Sequence, residues 1–189
     1  MDLVSHLRAQ ARANRLANHR LHEAMQPLGE AEFTAPRTGF FPSLAKTLNH
    51  ILGVDIYYLA ALHREADMEA QWQRFVPAAT LHELARRQAT SDERLIGYCD
   101  ALDAAALDAP VAMDRGDHVD TDIAARVLAH LFMHQTHHRG QAHAMLSGTP
   151  VKPPQLDEFL LASDARFRVE DLKALGWSEE LLMRGPGSP

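Results

Sequence analysis

Apolar residues recur at spacings of three and four through four long stretches of the chain. These stretches cover residues 2–27, residues 43–64, residues 80–105 and a region from about residue 122 to residue 148. Such spacing is typical of amphipathic helices that bury one face. The pattern therefore predicts four long helices, whose buried faces include Leu7, Leu16, Leu48, Leu52, Leu84, Leu95, Leu128 and Leu131.

Residues that favour helix starts stand at the head of three stretches. Pro42 and Ser43 precede the second helix, and Thr80 forms a capping box with the glutamate three residues later. Thr121 or Asp122 is expected to cap the fourth helix. These caps set the predicted starts of the helices independently of the apolar pattern.

Proline and glycine mark the shorter segments between and after the helices. Two strand candidates flank an Asp-Arg-Gly turn in residues 110–122, where a small hairpin and a plain loop both fit. Beyond Gly148, three prolines predict an extended segment, and short helices are expected around residues 156–161, 170–175 and 178–182. The prediction is thus an all-α four-helix bundle in residues 1–150, a C-terminal extension in residues 151–184 packed on the same domain, and a flexible tail in residues 185–189.

Composition and charge narrow the class of protein. The net charge of −6 argues against a nucleic-acid-binding protein, which usually carries a basic face. No apolar run approaches the roughly 18–20 residues that a membrane span needs, and charges interrupt the N-terminus where a signal peptide would be apolar. The single cysteine, Cys99, cannot form an intramolecular disulfide, so we expect a cytoplasmic protein. We expect the thiol of Cys99 to be buried in the core and not to act as a nucleophile.

Histidine is the compositional anomaly. Of the twelve histidines, five lie within residues 130–143. His130, His134 and His138 follow at intervals of four, which places them on one helix face. Two imidazoles so spaced can converge on one ion at about 2.0–2.1 Å, but the pairs His130/His134 and His134/His138 fit equally well. A cluster of hydrogen-bonded histidines without metal is the alternative interpretation.

A third ligand should come from a facing helix, and His50 in the middle of the second helix is the best candidate. Its neighbours Thr47, Val54 and Tyr57 suggest a half-polar cavity. Zinc proteases place a glutamate directly after the first histidine, and Gln135 at this position argues against that activity. The remaining histidines with polar neighbours or near turns are expected at the surface: His6, His19, His22, His63, His82 and His118.

Three segments resemble the DinB family. Residues 130–141, HLFMHQTHHRGQ, resemble the family signature H-x-x-x-H-x-x-H-H-R-G-Q. Residues 47–55 are similar to its second-helix histidine motif, and residues 13–18 are similar to its first-helix pattern. The matches extend from about residue 5 to about residue 160.

The resemblance implies a four-helix bundle that binds one divalent ion, often nickel or zinc, through His50, His134 and His138. Iron is a further candidate because imidazole also suits it. His137 is turned about 100° from His138 and is expected to meet a carboxylate or a dimer partner. Characterised relatives include thiol-dependent S-transferases and isomerases, in which a low-molecular-weight thiol coordinates the metal. Asn49, Tyr57, Arg139 and Gln141 are the candidates for orienting a ligand histidine or a substrate.

Two functions follow as expectations. The first is a metal-dependent enzyme of the thiol S-transferase or hydrolase type that acts on a small molecule. The second is a non-catalytic, metal-stabilised binding or stress-response protein. An accessible cavity beside the ion would favour the enzyme, and a closed site would favour the binding protein. The family resemblance and the apolar helix faces also suggest a homodimer formed through helices.

Overall fold

The computed structural model describes residues 2–185. Its helices and strands follow in chain order: α1 (Leu3–Met25), α2 (Glu30–Thr34), α3 (Leu44–Leu62), α4 (Met68–Gln73), α5 (Leu81–Asp100), β1 (Pro110–Asp114), β2 (Val119–Ile123), α6 (Ala124–Leu146), α7 (Val169–Leu175) and α8 (Glu179–Arg184). The four long helices are α1, α3, α5 and α6, so the prediction of an all-α bundle is confirmed.

The long helices stand at the corners of a square. Both α1 and α3 pack against α5 and α6, which leaves α1 diagonal to α3. The core between them is built from buried leucines, alanines and a few larger residues, among them Leu52, Leu84, Leu95 and Leu128. Burial of a leucine side chain contributes about 1.5–3 kcal/mol, so this shared core holds the four helices together.

The predicted caps are present at two helix starts. The Ser43 hydroxyl accepts a hydrogen bond from the backbone amide of Lys46 at 3.1 Å. The Thr80 hydroxyl accepts one from the amide of Glu83 at 3.2 Å. Each cap satisfies an amide that has no partner within the helix and therefore fixes where the helix begins.

The start predicted for the fourth helix is wrong. Thr121 and Asp122 pair with Ala112 and Val111 in an antiparallel hairpin, and α6 begins only at Ala124. The hairpin alternative is the one that forms, because the ladder uses the backbone groups of the residues that would otherwise cap the helix. Two short helices, α2 and α4, were not predicted.

The C-terminal extension lies against α1 through α7 and α8. The helix predicted around residues 156–161 does not form. The buried guanidinium of Arg168 donates instead to the backbone carbonyls of Glu158 and Leu161, at 3.0 and 2.9 Å. The helices predicted at residues 170–175 and 178–182 are present as α7 and α8. Of the tail predicted at residues 185–189, Gly185 is buried and residues 186–189 lie outside the described part of the chain.

Between residues 2 and 185, no helix combines the length and the apolar character needed to span a bilayer.

Candidate metal centre

Three histidines from two adjacent helices meet at one point. His50 comes from α3, and His134 and His138 come from successive turns of α6. One ring nitrogen of each lies within 4.8 Å of one nitrogen of each of the others. The centroid of the His138 ring is 4.6 Å from that of His50 and 4.5 Å from that of His134. These three side chains are therefore positioned to bind a metal ion.

Distances in the structure distinguish between the two histidine pairs on α6. The ring of His130 is 6.3 Å from that of His134 and packs 5.2 Å from the ring of Tyr58. His130 is absent from the cluster of ligand atoms found among the described residues. His134 and His138 are thus the pair that converges with His50.

Gln141 fixes the protonation of one histidine of the cluster. Its side-chain oxygen lies 2.8 Å from Nδ1 of His138. Because a carbonyl oxygen can only accept, His138 carries its proton on Nδ1 and directs the Nε2 lone pair elsewhere. The amide nitrogen of Gln141 donates to Nε2 of His137 at 3.1 Å, so His137 is held away from the cluster by the same side chain. A metal ligand usually has such a partner, which sets its tautomer and orientation.

The three imidazoles are held in their neutral form. Burial, followed by the neighbouring His138, lowers the pKa of His50 to about 4. Burial and the charges of His138 and His50 lower the pKa of His134 to about 3. Burial also lowers the pKa of His138. Neutral imidazole is the form that binds metals, so the donor set fits a divalent transition ion near neutral pH.

Phe41 covers the cluster from the loop before α3. The centroid of its ring lies 4.3 Å from that of His50 and 5.6 Å from that of His138. The loop reaches this position by passing close to α6 at Gly39, where a Cβ would lie 2.3 Å from the terminal methyl of Met145. Phe41 lies between the first two helical stretches that the apolar pattern predicts, so that pattern assigns it no role. The sequence signal that points to it is the adjacent pair of aromatic residues, Phe40 and Phe41, just before Pro42 and the cap residue Ser43.

Asn49 is next to His50 in sequence, but its amide is committed to the loop before α5. The nitrogen donates to the carbonyls of Ala45 and Ala78 at 2.9 and 3.0 Å, and the oxygen accepts from the amide of Ala78 at 2.6 Å. All the hydrogen-bonding groups of this side chain have partners at these three contacts. Asn49 therefore ties α3 to this loop beside the histidines.

Arg139 belongs to a buried polar layer that links the four long helices. Its guanidinium donates to the side-chain oxygens of Asn14 and Asn18 on α1, at 2.6 and 2.9 Å. Asn18 in turn donates to Asp92 on α5 at 2.9 Å. Gln88 bridges Asp92, at 3.1 Å, and Asp55 of α3, at 2.6 Å. The layer connects one guanidinium and two carboxyl groups through amide side chains, which gives hydrogen-bond partners to groups that would be costly to bury alone.

The carboxyl groups of this layer have raised pKa values. Burial is the main cause for both, and the charge of Asp55 adds to it for Asp92. The pKa is raised to about 7 for Asp55 and to about 8 for Asp92. Burial lowers the pKa of Arg139 to about 10, although the two aspartates oppose that shift. The folded protein therefore favours protonated aspartates at this level.

A cavity of about 470 Å³ adjoins the cluster at His50 and His134, and we call it the polar cavity. Its wall is completed by Val54, Tyr57, Tyr58, Glu69, Trp72, Gln73, Asp114, Arg115 and His130. The hydroxyl of Tyr57 donates to the backbone carbonyl of Asp114 at 2.6 Å and so fixes the hairpin to α3. The guanidinium of Arg115 lies over the rings of Tyr57 and Tyr58, at 5.4 and 5.9 Å. Sequence reasoning missed Arg115, which reaches the cavity only because the hairpin folds back on α3.

The burial of Cys99 and of His22 can be compared with what the sequence predicts. Cys99 is fully buried, and burial raises the pKa of its thiol to about 12. His22 was expected at the surface but is buried with a relative exposure of 4%. Burial also lowers its pKa to about 3, so it is a neutral core residue.

The fold and the site together define a helical bundle with a three-histidine centre beside an accessible cavity. Comparison with known families matches residues 5–171 to the DinB family, which covers most of the chain. The chain belongs to the DinB family. No curated protein matches it at a significant level.

Proposed function

We propose that this protein is a divalent-metal-dependent enzyme of the thiol S-transferase type that acts on a small molecule, with His50, His134 and His138 as the metal ligands. The observation that carries the proposal is the polar cavity of about 470 Å³ that opens onto two of these histidines. A purely structural metal site is usually closed by protein ligands, whereas a catalytic one keeps a position that a substrate can reach.

The donor set limits the ion that the site would take. Three neutral imidazoles suit zinc, nickel and iron, and cellular availability commonly decides among them. A divalent ion held by these nitrogens supplies Lewis acidity and lowers the pKa of a thiol that reaches it. Zinc and nickel are the candidates we would load first, and iron the third.

The thiol would have to come from outside the chain. Cys99 is fully buried, and its raised pKa keeps it protonated at neutral pH. A low-molecular-weight thiol can instead enter the polar cavity, where Arg115 and the rings of Tyr57 and Tyr58 form part of the wall. His130 lines the same cavity one turn from His134, so its imidazole is available to take the thiol proton.

A transferase is favoured over a hydrolase because two cavities meet at His50. A second cavity, with a volume of about 560 Å³, also includes His50 and Trp72 in its wall. A hydrolase needs one organic substrate and water, whereas a thiol transferase needs space for a thiol and for its electrophile. The pair of cavities supplies that space on two sides of the same histidine.

The test is a screen of thiols against aryl halide, epoxide and ester electrophiles. Each pair would be incubated with zinc-loaded and nickel-loaded protein, with chelator-stripped protein, and with the His134→Ala variant. We expect thioether or thioester formation that requires both the metal and His134. Metal-dependent thermal stabilisation without any metal-dependent turnover would overturn the enzyme proposal and leave the non-catalytic binding protein. Turnover of the ester with water alone would identify a hydrolase.

The homodimer and the cytoplasmic location stay predictions. Light scattering of the purified chain would compare the mass in solution with the monomer mass of 21.0 kDa.

A further inference from the structure

The second cavity differs in character from the polar cavity, and we call it the apolar cavity. It lies between the first turns of α3, the loop that carries Phe41, and the segment before α5. Its volume is about 560 Å³, which is in the range of small-molecule sites. The lining residues are Thr34, Phe41, Ala45, Lys46, Asn49, His50, Gly53, Trp72, Phe75, Pro77, Ala78 and Ala79.

The amide side chain of Asn49, which belongs to this lining, has no hydrogen left to donate to a ligand. Both amide hydrogens of Asn49 are donated to backbone carbonyls, and its oxygen accepts from the amide of Ala78. The surrounding surface comes mainly from the aromatic rings of Phe41, Trp72 and Phe75 and from small alanines. A polar ligand group placed against these rings and alanines would lose its water without gaining a partner there, so this part of the cavity favours hydrocarbon.

Lys46 is the single charged residue among those that line the apolar cavity. Its side chain is exposed, and no salt bridge is found for it within residues 2–185. Lys46 precedes His50 by four residues on α3, so the two side chains share one face about 6 Å apart along the helix axis. The cavity therefore presents an unpaired cation at one end and a histidine of the metal cluster at the other.

We propose that the apolar cavity binds a small carboxylic acid, with its hydrocarbon part between the aromatic walls and its carboxylate on Lys46. This inference rests on the proposed function in one respect, which is that the acid would be the co-substrate of the thiol near His50. It would carry an epoxide at the end opposite its carboxylate, the thiol sulfur would add to an epoxide carbon as the C–O bond opens, and the epoxide oxygen would take the thiol proton. The acid is held at one end by charge and along its length by burial, so its opposite end is presented to the histidine cluster. Binding of the acid does not require the metal.

The experiment uses three probes with the same hydrocarbon part: 4-phenylbutyrate, 4-phenylbutan-1-ol and 4-phenylbutylamine. Isothermal titration calorimetry would measure each against the metal-stripped full chain. We expect the acid to bind at least ten times more tightly than the amine, with the alcohol between them. Equal affinities for the acid and the amine would overturn the proposal.

Variants locate the binding site of the acid. Lys46→Gln is expected to weaken binding of the acid about tenfold and to leave the alcohol unchanged, and Lys46→Glu is expected to reverse the preference toward the amine. Lys173→Gln removes an exposed lysine from α7 and serves as the matched control. An acid that binds equally to wild type and Lys46→Gln would contradict the assignment. Ala45→Leu adds carbon atoms to the cavity wall and should weaken all three probes while thermal melting reports an intact fold.

The His134→Ala variant separates this inference from the proposed function. It removes a metal ligand, so loss of turnover in this variant tests the enzyme proposal. The acid should still bind to it with unchanged affinity, because Lys46 and the aromatic walls are intact. Loss of acid binding in His134→Ala would place the acid at the histidine cluster and overturn the apolar cavity as its site.

Discussion

Nε2 of His50 lies 2.9 Å from Nε2 of His134. Two nitrogens bound tetrahedrally to one zinc ion at about 2.05 Å would be about 3.3 Å apart. The two side chains therefore need to separate by only a few tenths of an ångström to accept an ion. Both imidazoles are neutral because their pKa values are lowered. Without an ion, one of the two nitrogens must therefore carry a hydrogen and donate it to the other. This contact explains why we expect the ion to stabilise the fold.

The first prediction concerns the pair of histidines on α6 that binds the ion. His134→Ala should weaken metal binding by more than about 100-fold, because it removes a ligand and not merely a supporting contact. Wild type should gain about 2.7 kcal/mol of stability at a metal concentration 100 times its Kd, and the variant should gain none. Elemental analysis and thermal melting of tag-free protein would measure both.

His130→Ala is the matched control for this prediction, since it removes an imidazole one turn away on the same helix. It should retain stoichiometric metal. The reverse result, with metal lost in His130→Ala and kept in His134→Ala, would assign the ligands to the other pair.

The second prediction concerns Gln141. Gln141→Leu removes the acceptor for the Nδ1 proton of His138 and should lower metal affinity by about 10–100-fold. Gln141→Glu keeps an acceptor at this position and should restore affinity to near the wild-type value. Competition with a chromogenic chelator would give the affinities.

Gln141 also contacts His137, so His137→Ala is needed as a control. This variant breaks only the other end of the bridge and should bind metal as wild type does. If His137→Ala and Gln141→Leu weaken binding equally, the effect does not pass through the tautomer of His138.

The third prediction concerns Arg139. Arg139→Met removes the guanidinium from the buried layer and should destabilise the fold by about 1–3 kcal/mol, because the buried side-chain oxygens of Asn14 and Asn18 lose their hydrogen-bond donor. Urea denaturation would measure the change in the free energy of unfolding. Arg126→Met is the control on the same helix, where the side chain is 74% exposed, and it should change stability by less than about 0.5 kcal/mol.

Metal content should distinguish a structural role of Arg139 from a role at the site. Below its melting temperature, Arg139→Met is expected to bind metal stoichiometrically, since the guanidinium contacts the asparagines of α1 and not the histidines. Loss of metal with unchanged stability would refute this expectation.

The fourth prediction concerns the pH dependence of stability. The pKa of Asp92 is raised from 3.8 to about 8 by burial and by Asp55, so the folded state holds this proton more tightly than the unfolded state. The resulting stabilisation is fully present below about pH 4 and is lost as the pH rises through about 8. Asp92→Asn cannot bind the proton, and its stability should fall less between these pH values.

Urea denaturation of metal-stripped protein at several pH values would test this, with Asp108→Asn as the exposed control. The histidines contribute equally to wild type and to both variants, so they cancel in the comparison. Parallel curves for wild type and Asp92→Asn would show that Asp92 has no raised pKa.

The helices were predictable from the sequence because each one carries its own periodic pattern. Spacing alone could not pair His134 with His138 rather than with His130, since all three histidines lie at the same spacing on one face, and only the family resemblance pointed to His138. The pairing depends on the position of His50 along the bundle axis relative to α6, which is determined by how α3 packs against α6. Thr121 and Asp122 show the same limit, because residues that cap a helix well can also pair in a strand.

Residues that reach the site from loops were the hardest to predict. Phe41 and Arg115 lie in segments without periodicity, and their positions depend on where the chain folds back against α3 and α6. Asn49 and Arg139 could be singled out by their place beside histidines. Their partners could not, because a polar side chain next to a ligand can turn toward the site or into the core.

The buried polar layer also holds the helices of the metal centre in position along the bundle axis. Arg139, Asn18, Asp92 and Asp55 connect α6, α1, α5 and α3 at a single level of the bundle. A slide of α6 by one helical turn, about 5.4 Å, would break both hydrogen bonds between Arg139 and α1, whereas apolar side chains could repack. The layer thus sets the axial register of the helices and, with it, the height of His50 relative to His134. The centre is preorganised, and ion binding should leave the helical circular dichroism spectrum unchanged.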